Sequence, residues 1–197
     1  MNDQVPWKNL LTHGFCLDAE KQKMSKSLGN VVNPNDCDVD QLRVLLGSFN
    51  LCSDISLSKN SLQSSKELIF RFKNTLRFLL GTLNTTNQNC KNKMDIQYEN
   101  LPFLEKWILH KTYMLNQEFK KIEKNFEFHS FLNLLHDFCA KDLSSFYFDI
   151  RKDVLYCEKI DNFERQSVVK VFEIITPMLI KFLSIFMPYF AEEAWKV

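Results

Sequence analysis

Two lysines and two serines share the short glycine-ended segment Lys23-Met24-Ser25-Lys26-Ser27-Leu28-Gly29-Asn30, and nothing in it is apolar enough to bury them. A segment of this kind binds polyphosphate. Its two ammonium groups meet the charge that builds on a triphosphate as pyrophosphate leaves, while hydroxyl and backbone N–H groups donate to the phosphate oxygens. Gly29 lets the backbone turn sharply and approach a ligand closely. A bare Lys-x-x-Lys reads more simply as a solvated turn, but the full string ending in Leu28-Gly29-Asn30 is too specific for that. Ser25 and Ser27 would fix the shape of the loop. No other constellation competes with this one. His13, His110, His129 and His136 share no spacing with a nucleophile, and His13 alone falls close to the loop. The cysteines, Cys16, Cys37, Cys52, Cys90, Cys139 and Cys157, form no C-x-x-C pair, so neither zinc nor a disulfide framework is indicated.

Composition bounds the elements that must carry this loop. At 197 residues and 23.3 kDa, with 45% hydrophobic residues, the chain fits one domain or a domain plus a piece of another. A formal net charge of +1 gives no global basic field, so any nucleic-acid contact must come from a local stripe of Lys and Arg. The scattered thiols read as buried small hydrophobes of a reducing cytosol. The Met1–Pro6 start has no basic region or apolar core of a signal peptide. The longest apolar run, Ile174 to Phe190, is broken by Pro177, Lys181 and Pro188, so a packed terminal helix is expected and a membrane span is not.

Four regions follow from the patterning. Pro6 to about Leu46 reads as a short strand (Leu10 to Phe15), the loop, and a short helix carrying Leu42, Val44, Leu45 and Leu46, an α/β edge. Gly47 to Lys59 is Ser-rich and turn-prone. From Leu62 everything has helical spacing: a first helix with Leu62, Leu68, Ile69, Phe72, Leu76, Leu79, Leu80 and Leu83 on its apolar face and Lys66, Arg71, Lys73 and Arg77 on a basic flank. A polar loop is expected over Asn84 to Asn100 and a second helix from Leu101-Pro102 to about Asn125. A third, aromatic-rich helix covers about Phe128 to Tyr156, and a fourth starts near Asp161, kinks at Pro177 and restarts at Pro188. Helices joined by short loops make a bundle.

The octapeptide closely resembles the KMSKSLGN signature of class I aminoacyl-tRNA synthetases. Further along, Asn74-Thr75-Leu76-Arg77-Phe78-Leu79-Leu80, the string Leu143 to Cys157 and Ala191-Glu192-Glu193-Ala194-Trp195 are similar to the anticodon-binding domain of the bacterial-type isoleucine members, as His13-Gly14-Phe15 is to the tripeptide ahead of their lysine loop. The fold this implies is mainly α: a helix bundle preceded by the C-terminal edge of a Rossmann-like catalytic domain. Residues 1–46 would be that edge, 47–61 a connector, and 62–197 an anticodon-binding bundle incomplete at its C-terminus. The resemblance implies ATP-dependent formation of isoleucyl-adenylate and transfer to tRNA(Ile), with Mg2+ as the counter-ion of ATP, in the cytoplasm, by an enzyme that is a monomer when intact. Lys26 would contact ATP directly, with Lys23 and Ser25 in support. Arg71, Lys73, Arg77, Arg151 and Lys152, with Lys66, are candidates for tRNA phosphate and sugar contacts. Tyr147, Tyr156 and Trp107 are candidates to stack on an unpaired base. For each of these the plain alternative is a solvated surface cation or a core aromatic.

Two departures qualify the resemblance. Between Asp36 and Leu42 the chain is about one helical turn shorter than the family pattern, so the helix behind the loop is expected to be trimmed. The His-Ile-Gly-His motif, the amino-acid pocket and the editing insertion of the family are absent from this sequence, which therefore reads as a partial synthetase. A tRNA-binding module without catalysis and the equivalent part of a valyl- or leucyl-tRNA synthetase are the competing readings.

Overall fold

The computed structural model describes residues 5–89 and 94–197; Met1 and Cys90, both considered above, lie outside the described residues. The chain enters through a small β-α-β unit. Strand β1 (Cys16–Leu17) pairs in parallel with β2 (Ile55–Ser56), and helix α1 (Val39–Gly47) connects them. The expected strand at Leu10 to Phe15 is not one. Leu10 and Leu11 stay exposed with no apolar layer to cover them, and the pairing starts at Cys16. The segment expected to be a plain connector carries β2: Ile55 N–H donates to Phe15 C=O (2.8 Å) and Leu57 N–H to Leu17 C=O (2.8 Å).

Helix α2 (Lys59–Asn89) follows, capped where Ser58 and Ser61 exchange side-chain and backbone bonds (2.9 and 3.2 Å). It outruns the loop expected from Asn84. Thr82 and Thr85 turn their hydroxyls back onto the carbonyls of Phe78 and Gly81 (2.9 and 2.8 Å), a local bond compatible with the helix. Then come α3 (Phe103–Asn125), α4 (Phe128–Asp137), a π-helical segment (Phe138–Phe148), α5 (Asp149–Cys157), α6 (Phe163–Phe186), which continues through Pro177, and α7 (Pro188–Trp195). The helix expected over Phe128 to Tyr156 is thus α, π and α in turn. Inside it the buried Phe138, Leu143 and Phe148 recur every five residues, the i→i+5 repeat of a π-helix.

One core runs through the bundle. Phe72, Leu76, Leu79, Ile108, Leu132, Leu135, Leu143, Phe172, Ile175 and Leu179 are fully buried, each contributing about 1.5–3 kcal/mol. Phe78, Phe148 and Phe172 pack as a ring cluster, the first two 4.5 Å apart. Helix α6 buries most of its surface and keeps Lys170, Glu173, Lys181 and Ser184 on one polar stripe, as its place in the bundle requires.

Helix α1 joins this bundle to the sheet edge through polar contacts at helix ends. The buried Asp40 carboxylate accepts from Phe190 N–H (2.9 Å) and Tyr189 N–H (3.4 Å) at the start of α7, and Arg43 donates to Ile185 C=O (2.7 Å) at the end of α6. An anion at a helix N-terminus and a cation at a C-terminus are both favourable with the helix dipole. Gln41, buried, donates to Leu62 C=O (3.1 Å) and Ser65 Oγ (3.3 Å) of α2.

The cysteine expectation needs correction. Among the described residues Cys139 is buried, but Cys16, Cys52 and Cys157 are exposed and Cys37 is half-buried, because they lie in the sheet edge, its loops and a helix end. None of these five forms a disulfide among the described residues. Among the described residues no helix is long and apolar enough to cross a membrane.

Candidate active-site loop and nucleic-acid groove

The lysine loop hangs from β1. Gly14 has no room for a Cβ, which would lie 2.3 Å from Ser53 O, and this close approach lets Gly14 N–H reach Leu51 C=O (2.9 Å). Phe15 N–H then meets Asp54 (2.8 Å), and β1 delivers the chain to a tight turn over Asp18 to Gln22. His13 is exposed, its ring turned to the carbonyl of Gly14 (2.8 Å). The loop closes on itself: Leu28 N–H donates to Ser25 C=O (3.2 Å) and Gly29 N–H to Lys26 C=O (3.3 Å), with Gly29 at φ 68°, a conformation suited to glycine. No neighbour crowds Gly29, so it is the backbone angle that selects glycine there.

The two lysines are not equivalent. Lys23 Nζ lies over the Phe15 ring, 4.7 Å from its centroid, a cation–π contact. Lys26 is exposed and its ammonium has no partner among the described residues. Ser25 and Ser27 share a hydroxyl–hydroxyl bond (2.6 Å), and Ser25 N–H donates to Asn30 Oδ1 (2.9 Å). Behind them Asp18 accepts from Asn30 Nδ2 (2.7 Å) and from the N–H groups of Gln22 and Glu20 (2.7 and 3.0 Å). The Asn30 amide, then the Gln22 N–H, hold the Asp18 carboxyl below the usual carboxylate range, with burial opposing. Phe15, Asp18 and Asn30 were missed as support residues because their roles lie in contacts that composition does not encode.

The second feature is a cleft of about 740 Å³ between α2 and the π segment. Lys66, Phe70, Arg71 and Asn74 line one wall and Ser144 and Ser145 the other, with Thr75 and Ser144 hydroxyls 3.3 Å apart at its floor. A shallower groove of about 300 Å³ shares Asn74, Thr75 and Ser144 and carries on to Lys152 and Tyr156. Cations, amides, hydroxyls and two exposed aromatics, Phe70 (63%) and Tyr156 (74%), therefore line one continuous track, together with the carboxylates Glu67 and Asp149. Such a surface suits phosphate contact together with base stacking.

The structure divides the expected tRNA residues. Arg71 and Lys152 lie on the track with Lys66, and Arg77 stands beside it, its guanidinium on Asn74 Oδ1 (3.2 Å). Lys152 pairs with Asp149 (2.6 Å) while both side chains remain exposed. Lys73 is elsewhere, its ammonium 5.3 Å from the Phe190 ring centroid. Arg151 points inward: its Nε and Nη2 lie 2.7 and 2.8 Å from the two oxygens of Glu105, which is fully buried on α3. Tyr147, also fully buried, donates to the same carboxylate (3.4 Å), and burial, then the charge of Glu105, pushes its hydroxyl pKa up. Tyr147 is part of the core, and Arg151, half-buried, lies at its margin. Trp107 is half-buried, its ring against Phe146. Phe70, Asn74, Ser144 and Ser145 were not foreseen; an exposed phenylalanine on the polar side of an otherwise amphipathic helix was the available signal.

Loop, sheet edge and bundle together define a class, and comparison with known proteins agrees. Residues 1–58 match the family described as tRNA synthetases class I (I, L, M and V), and residues 105–197 match the anticodon-binding domain of tRNA ligase. The chain belongs to the class I tRNA synthetases. Within that class it is similar to isoleucine--tRNA ligases. It is 38% identical to that of Pelagibacter ubique over 195 residues, 96% of this chain and 21% of the relative. It is 37% identical to that of Cyanothece sp. over 205 residues, 98% of this chain and 21% of the relative. The chain spans about a fifth of the length of these relatives. In fold it resembles Mycobacterium tuberculosis methionyl-tRNA synthetase in complex with methionyl-adenylate (TM-score 0.74, 18% identity, 93% of this chain and 36% of that one). It likewise resembles the LeuRS-tRNA-LeuAMS ternary complex of Agrobacterium radiobacter K84 (TM-score 0.64, 16% identity, 93% and 22%).

Proposed function

We propose that this chain is the part of an isoleucine--tRNA ligase that supplies the ATP-contacting lysine loop and the tRNA-binding bundle. The reaction is attack of the isoleucine carboxylate on the α-phosphate of ATP, release of pyrophosphate, and transfer of the acyl group to tRNA(Ile). The observation that carries the reading is the free ammonium of Lys26 on a glycine-closed loop. As the α–β bond opens, charge gathers on the leaving oxygens, and a cation aimed there lowers the barrier more than it stabilises bound ATP. Lys23, held by Phe15, and Ser25 assist. Mg2+ would arrive with the nucleotide, as part of the substrate. Isoleucine as the amino acid is supported by the relatives of this chain, and its pocket would be supplied from outside the segment. A monomeric, cytoplasmic enzyme is the setting this reading carries.

The test pairs two proteins. A complete ligase containing this segment should exchange pyrophosphate into ATP when given isoleucine and not when given valine or leucine. The 197-residue chain alone should bind tRNA(Ile) in a filter assay and show no exchange. Exchange by the short chain, or a complete protein that prefers valine or leucine, would overturn the reading.

A further inference from the structure

The side chain of Asn30 bridges the loop from end to end. Its Oδ1 accepts Ser25 N–H (2.9 Å), and its Nδ2 donates to Asp18 Oδ2 (2.7 Å), with a longer approach to Lys23 C=O (3.5 Å). Asp18 is itself anchored. It is 8% exposed, its second oxygen is filled by the Glu20 and Gln22 N–H groups, and its own carbonyl accepts Ser56 Oγ (2.6 Å) from β2. A chain of bonds therefore runs from β2 through Asp18 and Asn30 to Ser25, the residue immediately before Lys26.

We propose that Asp18 and Asn30 are positioning residues, a carboxylate–carboxamide latch that fixes the shape of the lysine loop and so the place from which Lys26 reaches its phosphate. This rests on the reading of the loop as ATP-contacting. Stabilisation of a transition state by a charge depends on that charge being in place beforehand. Among the described residues nothing restrains the long Lys26 side chain, so what limits where its ammonium goes is the backbone beneath it. Of the bonds around Lys26, the two turn bonds of Leu28 and Gly29 are internal to the loop, whereas the Asn30 bonds tie Ser25 to the buried Asp18.

The pattern of donors and acceptors gives a test that simple disruption of the fold would fail. In Asp18→Asn, the new amide faces the Asn30 amide, and one bond must be given up. In Asn30→Asp, two carboxylates face each other. In the double variant the short bonds are restored and only the long approach to Lys23 C=O (3.5 Å) is lost: Asn at 18 still accepts from Glu20 and Gln22 N–H and donates to Asp at 30, whose other oxygen accepts from Ser25 N–H. Two readouts are used: the amide hydrogen-exchange rate of Ser25 in the 197-residue chain, and kcat and KM for ATP in isoleucine-dependent pyrophosphate exchange by the complete ligase. Each single variant should speed Ser25 exchange by about tenfold or more, the scale of a lost hydrogen bond to a charged group. Each should lower kcat by about ten- to a hundredfold with KM for ATP little changed, the pattern of a contact made only in the transition state. The double variant should recover on both readouts. Singles that leave Ser25 exchange unchanged, or a double no better than the worse single, would overturn the latch. If the unmodified complete ligase shows no isoleucine-dependent exchange, the functional reading falls, and the Ser25 exchange rates alone decide for or against the latch.

Discussion

Lys23 and Lys26 are three residues apart and chemically identical, yet the fold gives them different work. An ammonium over the Phe15 ring is already partly satisfied, while that of Lys26 is free to meet a ligand. Lys26→Ala in a complete ligase is therefore expected to lower the single-turnover rate of adenylate formation by about two to three orders of magnitude, the scale for losing one charge-stabilising group. Isoleucine affinity should hardly change. A mutant that loses isoleucine affinity but adenylates at the normal rate would contradict the role given to Lys26. The loop's support is pH-sensitive with a definite sign. Asp18 is held below its usual pKa by Asn30 and Gln22, so its contribution is complete above the ordinary carboxylate value, about 3.9, and is lost as pH falls through the lowered one. Ser25 amide protection, corrected for intrinsic exchange, should be flat from neutrality down to about pH 4 and collapse below it; collapse already near pH 6 would point to another group.

At the scale of elements, the lysine loop was legible from sequence because its residue types are its chemistry, and the amphipathic stripes placed the helices. Register and helix type were not legible. Phe138, Leu143 and Phe148 fit a five-residue repeat as well as an α-helical one with neighbours, and the wider helix goes with packing against α2 and α3 and with Phe148 against Phe172 of α6, which sequence spacing does not show. The strand slipped from Leu10–Phe15 to Cys16–Leu17 because its partner lies in a Ser-rich stretch that carries no strand signal. Arg151 is the sharpest case: flanked by Asp149, Lys152 and Asp153 it reads as a surface cation, but the helix turns it onto Glu105, forty-six positions earlier. Removing one partner of a buried pair strands the other, so Arg151→Met alone should destabilise the chain by about 3–5 kcal/mol in urea unfolding. The double variant Glu105→Gln with Arg151→Met leaves no stranded charge and keeps an acceptor for Tyr147, and most of that loss should return. If the double variant is as unstable as the single, the pair is not what the change removed.

Across the whole molecule, a net charge of +1 conceals an uneven surface. Lys66, Arg71 and Lys152 line one track while Lys73 is drawn to α7 and the half-buried Arg151 is paired with the buried Glu105. That division sorts the substitutions. Arg71→Glu and Lys152→Glu should each weaken tRNA(Ile) binding and reduce the slope of log affinity against log salt by about one, as expected when one phosphate contact is removed. Lys73→Glu changes charge by the same amount on another face, and its effect on the slope should be smaller. Arg151 is unsuitable for this comparison, since its loss acts through the fold. Binding measured at two salt concentrations separates the outcomes: equal slope changes for all three variants would mean that the bundle attracts RNA through its overall charge, and unchanged slopes for Arg71→Glu and Lys152→Glu would leave the track without a role in phosphate contact. A Tyr156→Ala variant distinguishes stacking from charge on the same track, because it should lower affinity while leaving the salt slope as it was.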